Sequence, residues 1–205
     1  MRVRAFAFAL VLTAAPAAVL STNSLSTEPF VGVKSAEASV SVLLSLDELL
    51  TASSSVVVGT AVERKSQWEE FPTGKRIVTY TKIKVEKTIT GSNSTEVWVR
   101  TLGGVVGELG QSVAGEAQIA TGSKSVLFLM KRGETTVVAG MAQGHFPVVN
   151  DDKGTARLKL SPDAGTQLRP PGPVVIARDQ LVGQTLETAV STITKARKAL
   201  DEKNK

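Results

Sequence analysis

The chain has no cysteine among its 205 residues and a single histidine, His145. Without cysteine, disulfides, thiol catalysis, thiolate zinc sites and lipid attachment through a cysteine are all excluded. A metal site built from several histidines is excluded in the same way. A serine triad would have to use His145, which lies on a predicted strand, and no G-x-S-x-G motif accompanies it. The composition therefore predicts a protein with no metal, no cofactor and no catalytic histidine.

Other catalytic patterns are equally scarce. Glu108 and Glu116 lie in one glycine-rich segment, and two carboxylates held roughly 5 to 9 Å apart could hydrolyse a glycoside. The sequence does not set that distance. Asn150, Asp151 and Asp152 lack the alternating ligands and distal glutamate of an EF-hand loop. A hydrolytic enzyme stays an alternative that depends on His145 or on the two glutamates.

Aromatic residues are also few, at 4% of the chain, and the formal net charge is +5. The basic residues are spread over predicted strands and the C-terminal segment and are not interleaved with aromatic side chains. Nucleic-acid grooves combine a concentrated basic surface with stacking aromatics. We therefore predict a mildly basic surface and no nucleic-acid partner.

The first 38 residues have the composition of a signal peptide. Arg2 and Arg4 precede an apolar, alanine-rich run from Ala5 to Leu20, and Ala36-Glu37-Ala38 forms an A-x-A cleavage site. Cleavage after Ala38 predicts a secreted or periplasmic protein with no stable membrane anchor. Earlier cleavage near residue 21 and an uncleaved anchor are the alternatives.

Strand patterns dominate residues 39–160. From Ile77 to Ile89, β-branched and polar residues alternate with a period of two, which indicates a strand with one buried face. Ser45 and Glu48 match a capping box and predict a short helix from Leu46 to Ala52. Further strands are predicted at 39–44, 55–65, 95–102, 125–131, 135–140, 141–150 and 155–160. The predicted fold is mainly β: a small OB-like or Greek-key barrel with a short N-terminal helix.

Composition changes after residue 160. Proline-rich residues 161–177 predict a linker, and residues 178–205 predict a C-terminal amphipathic helix. The apolar stripe of this helix consists of Leu186, Ala189, Val190, Ile193 and Leu200. We expect the stripe to pack on the barrel; a helix that binds a partner or a membrane surface is the alternative.

Two segments are candidates for binding. Residues 66–75 predict a polar loop that carries Trp68 and Phe71, and residues 102–122 predict a glycine-rich loop that folds back with several glycines at positive φ. The candidate binding residues are Trp68, Phe71, Leu102, Gly103, Gly104, Glu108 and Gln111. The alternatives are aromatic caps on the barrel and a purely structural flap.

Residues 45–144 resemble an uncharacterised family of secreted bacterial proteins with an OB-fold-like barrel. The matching segments are SLDELLTASSSVVVGTAVERKSQWE, IVTYTKIKVEKTITG, VRTLGGVVGELGQSVAGEAQIATGSKSVLFL and VVAGMAQGHF. Members are often encoded near matrixin-type metalloproteases, so the resemblance implies a secreted metalloprotease or another envelope protein as partner. The barrel is similar in outline to the netrin-like module of tissue metalloproteinase inhibitors, which chelate zinc through an N-terminal cysteine. This chain has no cysteine, so that mechanism does not transfer.

We therefore expect an exported, non-catalytic binding module of the cell envelope or exterior, which binds a protein through loops at one end of the barrel. An inhibitor or accessory partner of a secreted metalloprotease is the alternative.

Overall fold

The structure is a computed structural model that describes residues 40–162 and 164–203. The predicted signal peptide and its cleavage site lie outside these residues. The strands are β1 Val40–Val42, β2 Ser55–Phe71, β3 Gly74–Thr90, β4 Glu96–Leu102, β5 Gly104–Val106, β6 Leu109–Gln111, β7 Lys124–Arg132, β8 Thr135–Val138, β9 His145–Asn150, β10 Ala156–Leu158 and β11 Thr166–Leu168. The helices are α1 Leu46–Ala52, α2 Ala177–Leu181 and α3 Leu186–Lys203, and a 3₁₀ turn spans Met141–Gly144.

Five strands form a partly closed ring. In the order β7–β2–β3–β4–β8 each strand pairs with the next, and β8 pairs again with β7. All these pairs are antiparallel except β4 with β8, which are joined through Val99 with Thr136 and Arg100 with Val137. Strands β9 and β10 extend the sheet beyond β7. The prediction of a mainly β, OB-like barrel with an N-terminal and a C-terminal helix is confirmed.

The predicted polar loop at residues 66–75 is wrong. Strand β2 continues to Phe71, which pairs directly with Gly74, so only Pro72 and Thr73 form the turn. Gly74 has a φ of +107°, a conformation that suits glycine in a tight turn. Within the described sheet, residues 67–71 and 74–77 pair only with each other and project beyond the ring. We call residues 67–77 the arm.

Alternation of side chains along the strands builds two apolar layers. Inward-pointing residues such as Val57 and Leu127 fill the ring. Their neighbours Val56 and Phe128 point outward and pack beneath the helices, where Phe128 meets Phe146 edge to face at 6.0 Å between ring centroids. Helix α1 contributes its buried leucines to this outer layer.

The predicted capping box is present at the start of α1. The Glu48 amide donates to the Ser45 hydroxyl at 3.2 Å, and the Glu48 carboxylate accepts from the Ser45 amide at 2.7 Å. These bonds satisfy backbone amides that the first turn of a helix leaves without partners.

The C-terminal segment covers the outer face of the sheet. Strand β11 pairs in parallel with β1, and α2 and α3 pack on the outer apolar layer. All the residues predicted for the α3 stripe belong to this layer, with Ala189 and Ile193 fully buried. Within residues 40–162 and 164–203, no helix combines the length and the apolar character that crossing a membrane requires.

Candidate functional site

The arm carries the two aromatic residues that the sequence singled out. Trp68 lies opposite Ile77 and Phe71 lies opposite Gly74 on adjacent strands. Because they are three positions apart in a continuous strand, their side chains point to opposite faces of the arm. Trp68 is 44% exposed, whereas Phe71 is half-buried. They therefore serve two different surfaces and do not form one aromatic pair.

The glycine-rich segment folds back on the barrel, as predicted, but begins with a short hairpin of β5 and β6. The Gly103 amide donates to the Ile77 carbonyl at 2.8 Å, and the Ile77 amide donates to Gln111 Oε1 at 2.7 Å. The Thr79 hydroxyl donates to the Gly103 carbonyl at 2.7 Å. These bonds fix the hairpin against the base of the arm. Gln111 thus has a structural contact that the sequence did not indicate.

Two adjacent glycines permit this close approach. Gly103 and Gly104 have φ values of +91° and +137°. A Cβ atom at Gly104 would lie 2.6 Å from the Ser66 hydroxyl and would also clash with the Thr79 hydroxyl. Gly103 thus lets the backbone of Gln111 approach, and Gly104 leaves room for the hydroxyls of Ser66 and Thr79. Close approach of neighbouring groups to the backbone is a usual reason for glycine at such a position.

The two glutamates of this segment occupy different environments. Glu108 is exposed in the turn between β5 and β6. Glu116 is buried, and its carboxylate accepts from the backbone amides of Leu102 at 3.2 Å and Ala117 at 3.0 Å. Burial raises the pKa of Glu116, and these two hydrogen bonds partly oppose the shift. Glu116 thereby ties the segment to the end of β4.

Two clefts open on either side of the end of β4. The first, which we call the loop cleft, has a volume of about 530 Å³ and is lined by predicted residues Leu102, Gly103, Gly104 and Gln111. The second, the arginine cleft, has a volume of about 430 Å³ and includes Phe71 and Leu102. Both volumes fall within the range of roughly 300–1,000 Å³ that is usual for ligand pockets. The two clefts share Thr101, Leu102 and Glu116.

Three arginines line the arginine cleft: Arg76, Arg100 and Arg132. Arg76 belongs to the arm, Arg100 to β4 and Arg132 to the end of β7. The strand register places Arg100 beside Val137 of β8, which in turn lies beside Met130 of β7. The cleft therefore lies where the outer face of these strands meets the arm.

Arg100 is held from two sides. One guanidinium nitrogen donates to the Glu69 carboxylate at 2.9 Å, and the guanidinium carbon lies 5.6 Å from the centre of the Phe71 ring. The Tyr80 hydroxyl donates to the other Glu69 oxygen at 2.7 Å. Burial and the Glu69 carboxylate raise the pKa of Tyr80, so its hydroxyl stays protonated and continues to donate.

The other two arginines lack such partners. Arg76 donates to the Thr73 hydroxyl at 3.1 Å. Among the described residues, neither Arg76 nor Arg132 forms an ion pair. The sequence did not single out any of these three arginines. Alternation in β3 and β4 indicates which face Arg76 and Arg100 occupy, but only the strand register brings them near Arg132.

Three exposed apolar side chains lie on the arm and on the β5–β6 hairpin beside it. Trp68, Val105 and Leu109 are 44%, 65% and 62% exposed. Trp68 shares a strand face with Ser66, and Gly104 at the start of the β5–β6 hairpin approaches the Ser66 hydroxyl. The hairpin is thus packed beside the Trp68 face. The register pairs Val105 with Gly110 and Val106 with Leu109, so Val105 and Leu109 point to opposite faces of this hairpin. We call Trp68, Val105 and Leu109 the rim patch, which therefore includes both faces of the hairpin.

His145 is buried within the fold, away from both clefts. Its Nε2 atom lies 3.0 Å from the Ser125 hydroxyl, and its Nδ1 atom lies 2.8 Å from the Ser161 hydroxyl. Burial lowers the pKa of His145 from its ordinary 6.5 to about 4, so the ring is neutral near pH 7. Both ring nitrogens are therefore occupied by hydrogen bonds that link β7, β9 and the segment after β10.

No known protein-family profile and no curated protein matches the chain. The resemblance stated for residues 45–144 accordingly stays a prediction.

Proposed function

We propose that this protein is an exported, non-catalytic binding module of the cell envelope or exterior, and that it binds a protein partner through the rim patch. The exposure of Trp68 together with Val105 and Leu109, on two adjacent hairpins, carries the proposal. Exposed large apolar side chains occur at interaction surfaces, and tryptophan is enriched among residues that dominate binding energy.

The backbone beneath the patch supports the same proposal. The Gly103 amide donates to the Ile77 carbonyl and the Ile77 amide donates to Gln111 Oε1, and these bonds fix the β5–β6 hairpin against the arm. A surface already held in its binding geometry loses less conformational entropy when it binds. This arrangement favours recognition of a folded partner by two preformed hairpins.

Two observations favour a non-catalytic role. His145 is enclosed, and both its ring nitrogens are bound to serine hydroxyls. Glu116 accepts from backbone amides, and Glu108 lies at an exposed turn. A general base needs its proton acceptor within reach of a substrate, and neither ring nitrogen of the enclosed His145 is free in this arrangement.

The test is capture of a partner from the source organism's envelope and secreted proteins on immobilised mature protein. We expect Trp68→Ala combined with Leu109→Ser to abolish capture of the specifically retained protein while leaving the melting temperature nearly unchanged, because both side chains are exposed. Trp98→Ala is the matched control, since Trp98 is an exposed tryptophan on another part of the barrel. Equal capture by wild type and the double variant would contradict the proposal.

The identity of the captured protein separates the partner classes. The resemblance implies a secreted metalloprotease, so a retained protease would next be assayed for substrate hydrolysis. Stoichiometric loss of its activity on mixing would indicate an inhibitor. Unchanged turnover with this protein in excess would indicate an accessory partner, and a retained non-protease would indicate another envelope protein.

A further inference from the structure

We infer that the arginine cleft is a binding site for the carboxylate groups of an acidic peptide segment. The inference rests on the proposed function, because the segment would belong to the same protein partner. This site would be a second contact with the partner, on the face of the arm opposite to Trp68. Its arginines would recognise carboxylate groups of the partner.

The charges of the cleft point to an anion. Arg76, Arg100 and Arg132 line one cleft of about 430 Å³. Arg100 is paired with Glu69, so Arg76 and Arg132 contribute the unpaired positive charge, and an anion between them relieves their mutual repulsion. Arginine also presents a planar fork of donors that matches a carboxylate in a bidentate manner. Arg76 uses one guanidinium nitrogen to donate to the Thr73 hydroxyl. Since neither Arg76 nor Arg132 has an ion-pair partner among the described residues, their remaining guanidinium donors are available to a ligand.

The scaffold holds this charge in place. Arg100 is fixed by the Glu69 carboxylate on one side and the Phe71 ring on the other. Arg76 is on a paired strand of the arm and is bonded to Thr73 in the turn. Sites carried on strands keep their geometry better than sites on loops. The cleft therefore presents guanidinium groups at defined positions and is more than a diffuse basic surface.

One acidic residue, Glu116, also lines the cleft. Its oxygens accept from the backbone amides of Leu102 and Ala117, which hold the carboxylate at the wall of the cleft. Arg100 and Arg132 are near enough to attract this carboxylate, so Glu116 offsets part of the positive charge of the cleft. Its negative charge discourages a compact, highly charged anion at that wall and favours a ligand whose carboxylates are separated along a chain.

The apolar walls favour a peptide over a nucleic acid. The remaining lining includes Pro72, Met130, Val137, Val138 and Met141. Single-stranded nucleic acids need aromatic faces on which bases stack. Among the described residues of the cleft, Phe71 is the one aromatic side chain, and the Arg100 guanidinium already lies over its ring. Aliphatic side chains of a peptide suit these walls better.

Fluorescence anisotropy with a labelled hexaglutamate peptide tests the inference on the purified mature protein. We expect saturable binding that weakens as salt is raised, because screening reduces the attraction. Arg76→Gln combined with Arg132→Gln should weaken binding about tenfold or more, since two charge-assisted contacts are lost. A labelled hexaglutamine peptide should not bind.

The matched control is Lys87→Gln combined with Lys153→Gln, which removes the same charge from exposed positions outside the cleft. This control should bind hexaglutamate nearly as well as wild type. Equal loss in both double variants, or no binding at all, would overturn the inference. Tighter binding of a labelled twelve-residue oligothymidylate with the same dependence on Arg76 and Arg132 would also overturn it, in favour of a nucleic-acid site.

These outcomes are separable from those of the proposed function. Capture of a partner that depends on Trp68 but not on Arg76 and Arg132, without hexaglutamate binding, would remove the inference and leave the proposed function standing. Hexaglutamate binding that depends on the arginines, together with partner capture that does not depend on Trp68, would contradict the rim patch as the binding surface and leave the carboxylate site standing. Melting temperatures of all variants show whether each one folds.

Discussion

At the scale of one residue, burial determines the protonation state of His145. Its imidazole is enclosed, bonded to Ser125 and Ser161, and has a pKa of about 4 in place of its ordinary 6.5. In the unfolded chain the ring is exposed and binds a proton as the pH falls through 6.5. The folded protein does not bind that proton until about pH 4. The stability that the neutral ring confers is therefore complete above pH 6.5 and is lost as the pH falls towards 4.

We predict that the mature protein loses about 2 to 3 kcal/mol of unfolding free energy through His145 between pH 7.5 and pH 4.5. His145→Gln keeps a polar side chain but removes the titrating group, so its stability should fall less over the same interval. Urea unfolding of both proteins at several pH values measures the difference. Carboxylates with lowered pKa, such as Asp151, contribute to both curves and cancel in the comparison. Parallel curves would show that His145 does not titrate differently in the folded state.

Local chemistry at single residues was predictable, and distant pairing was not. Ser45 and Glu48 are three positions apart, so the sequence alone indicated their reciprocal bonds. The partners of His145 are 20 and 16 positions away, and nothing near residue 145 predicts them. The arginine cleft could not be predicted for the same reason, because its three arginines come from three separate strands.

At the scale of elements, the arm shows where composition misleads. Residues 66–75 have the polar and turn-forming residues of a loop, and only the alternation continuing from β2 argues otherwise. In the structure opposite charges face each other across the two strands, as with Glu70 and Lys75, whose charged atoms are 3.3 Å apart. Such cross-strand pairs and the turn at Gly74 stabilise the hairpin. Its length matters for function, because it carries Trp68 and Arg76 beyond the ring.

Helix α3, in contrast to the arm, was predicted correctly, because its apolar residues recur with the helical period. The stripe predicted packing, and Ile193 is fully buried against the outer layer. We predict that Ile193→Ala lowers the unfolding free energy by about 2 to 4 kcal/mol, since it removes buried methyl groups and leaves a cavity. Chemical unfolding followed by circular dichroism measures this loss.

Ser191→Ala provides the control, because Ser191 lies on the exposed face of the same helix. It should change stability by no more than about 0.5 kcal/mol. If Ile193→Ala were as mild as Ser191→Ala, α3 would not be part of the cooperative fold and would instead be free to bind a partner.

At the scale of the whole molecule, the two apolar layers decide which parts of the chain fold together. The inner layer is formed entirely by the ring and the segment that folds back across it. The outer layer joins the opposite face of the sheet to α1, α2 and α3. Strand β11 also pairs with β1, which joins the start of the described chain to the proline-rich segment. The sequence predicted a barrel at residues 39–160, a linker at 161–177 and a C-terminal helix whose stripe packs on the barrel. It did not predict the pairing of β11 with β1, since a proline-rich composition does not show what the segment packs on.

A chain that ends at residue 160 tests whether the barrel folds without this cover. Its loss would remove the buried side chains that α2 and α3 contribute to the outer layer, among them Leu181 and Ile193, and would expose their partners in that layer. Exposure of several apolar side chains costs several kcal/mol, which is comparable to the whole stability of a domain of this size. We therefore predict that residues 39–160 alone show no cooperative unfolding transition and bind the dye ANS, as partly folded states do. Addition of residues 161–205 as a separate peptide should restore a cooperative transition, because the missing layer would be supplied in trans. A sharp transition for residues 39–160 alone would instead show that the ring and its inner layer suffice, and that the C-terminal segment is free to serve the partner.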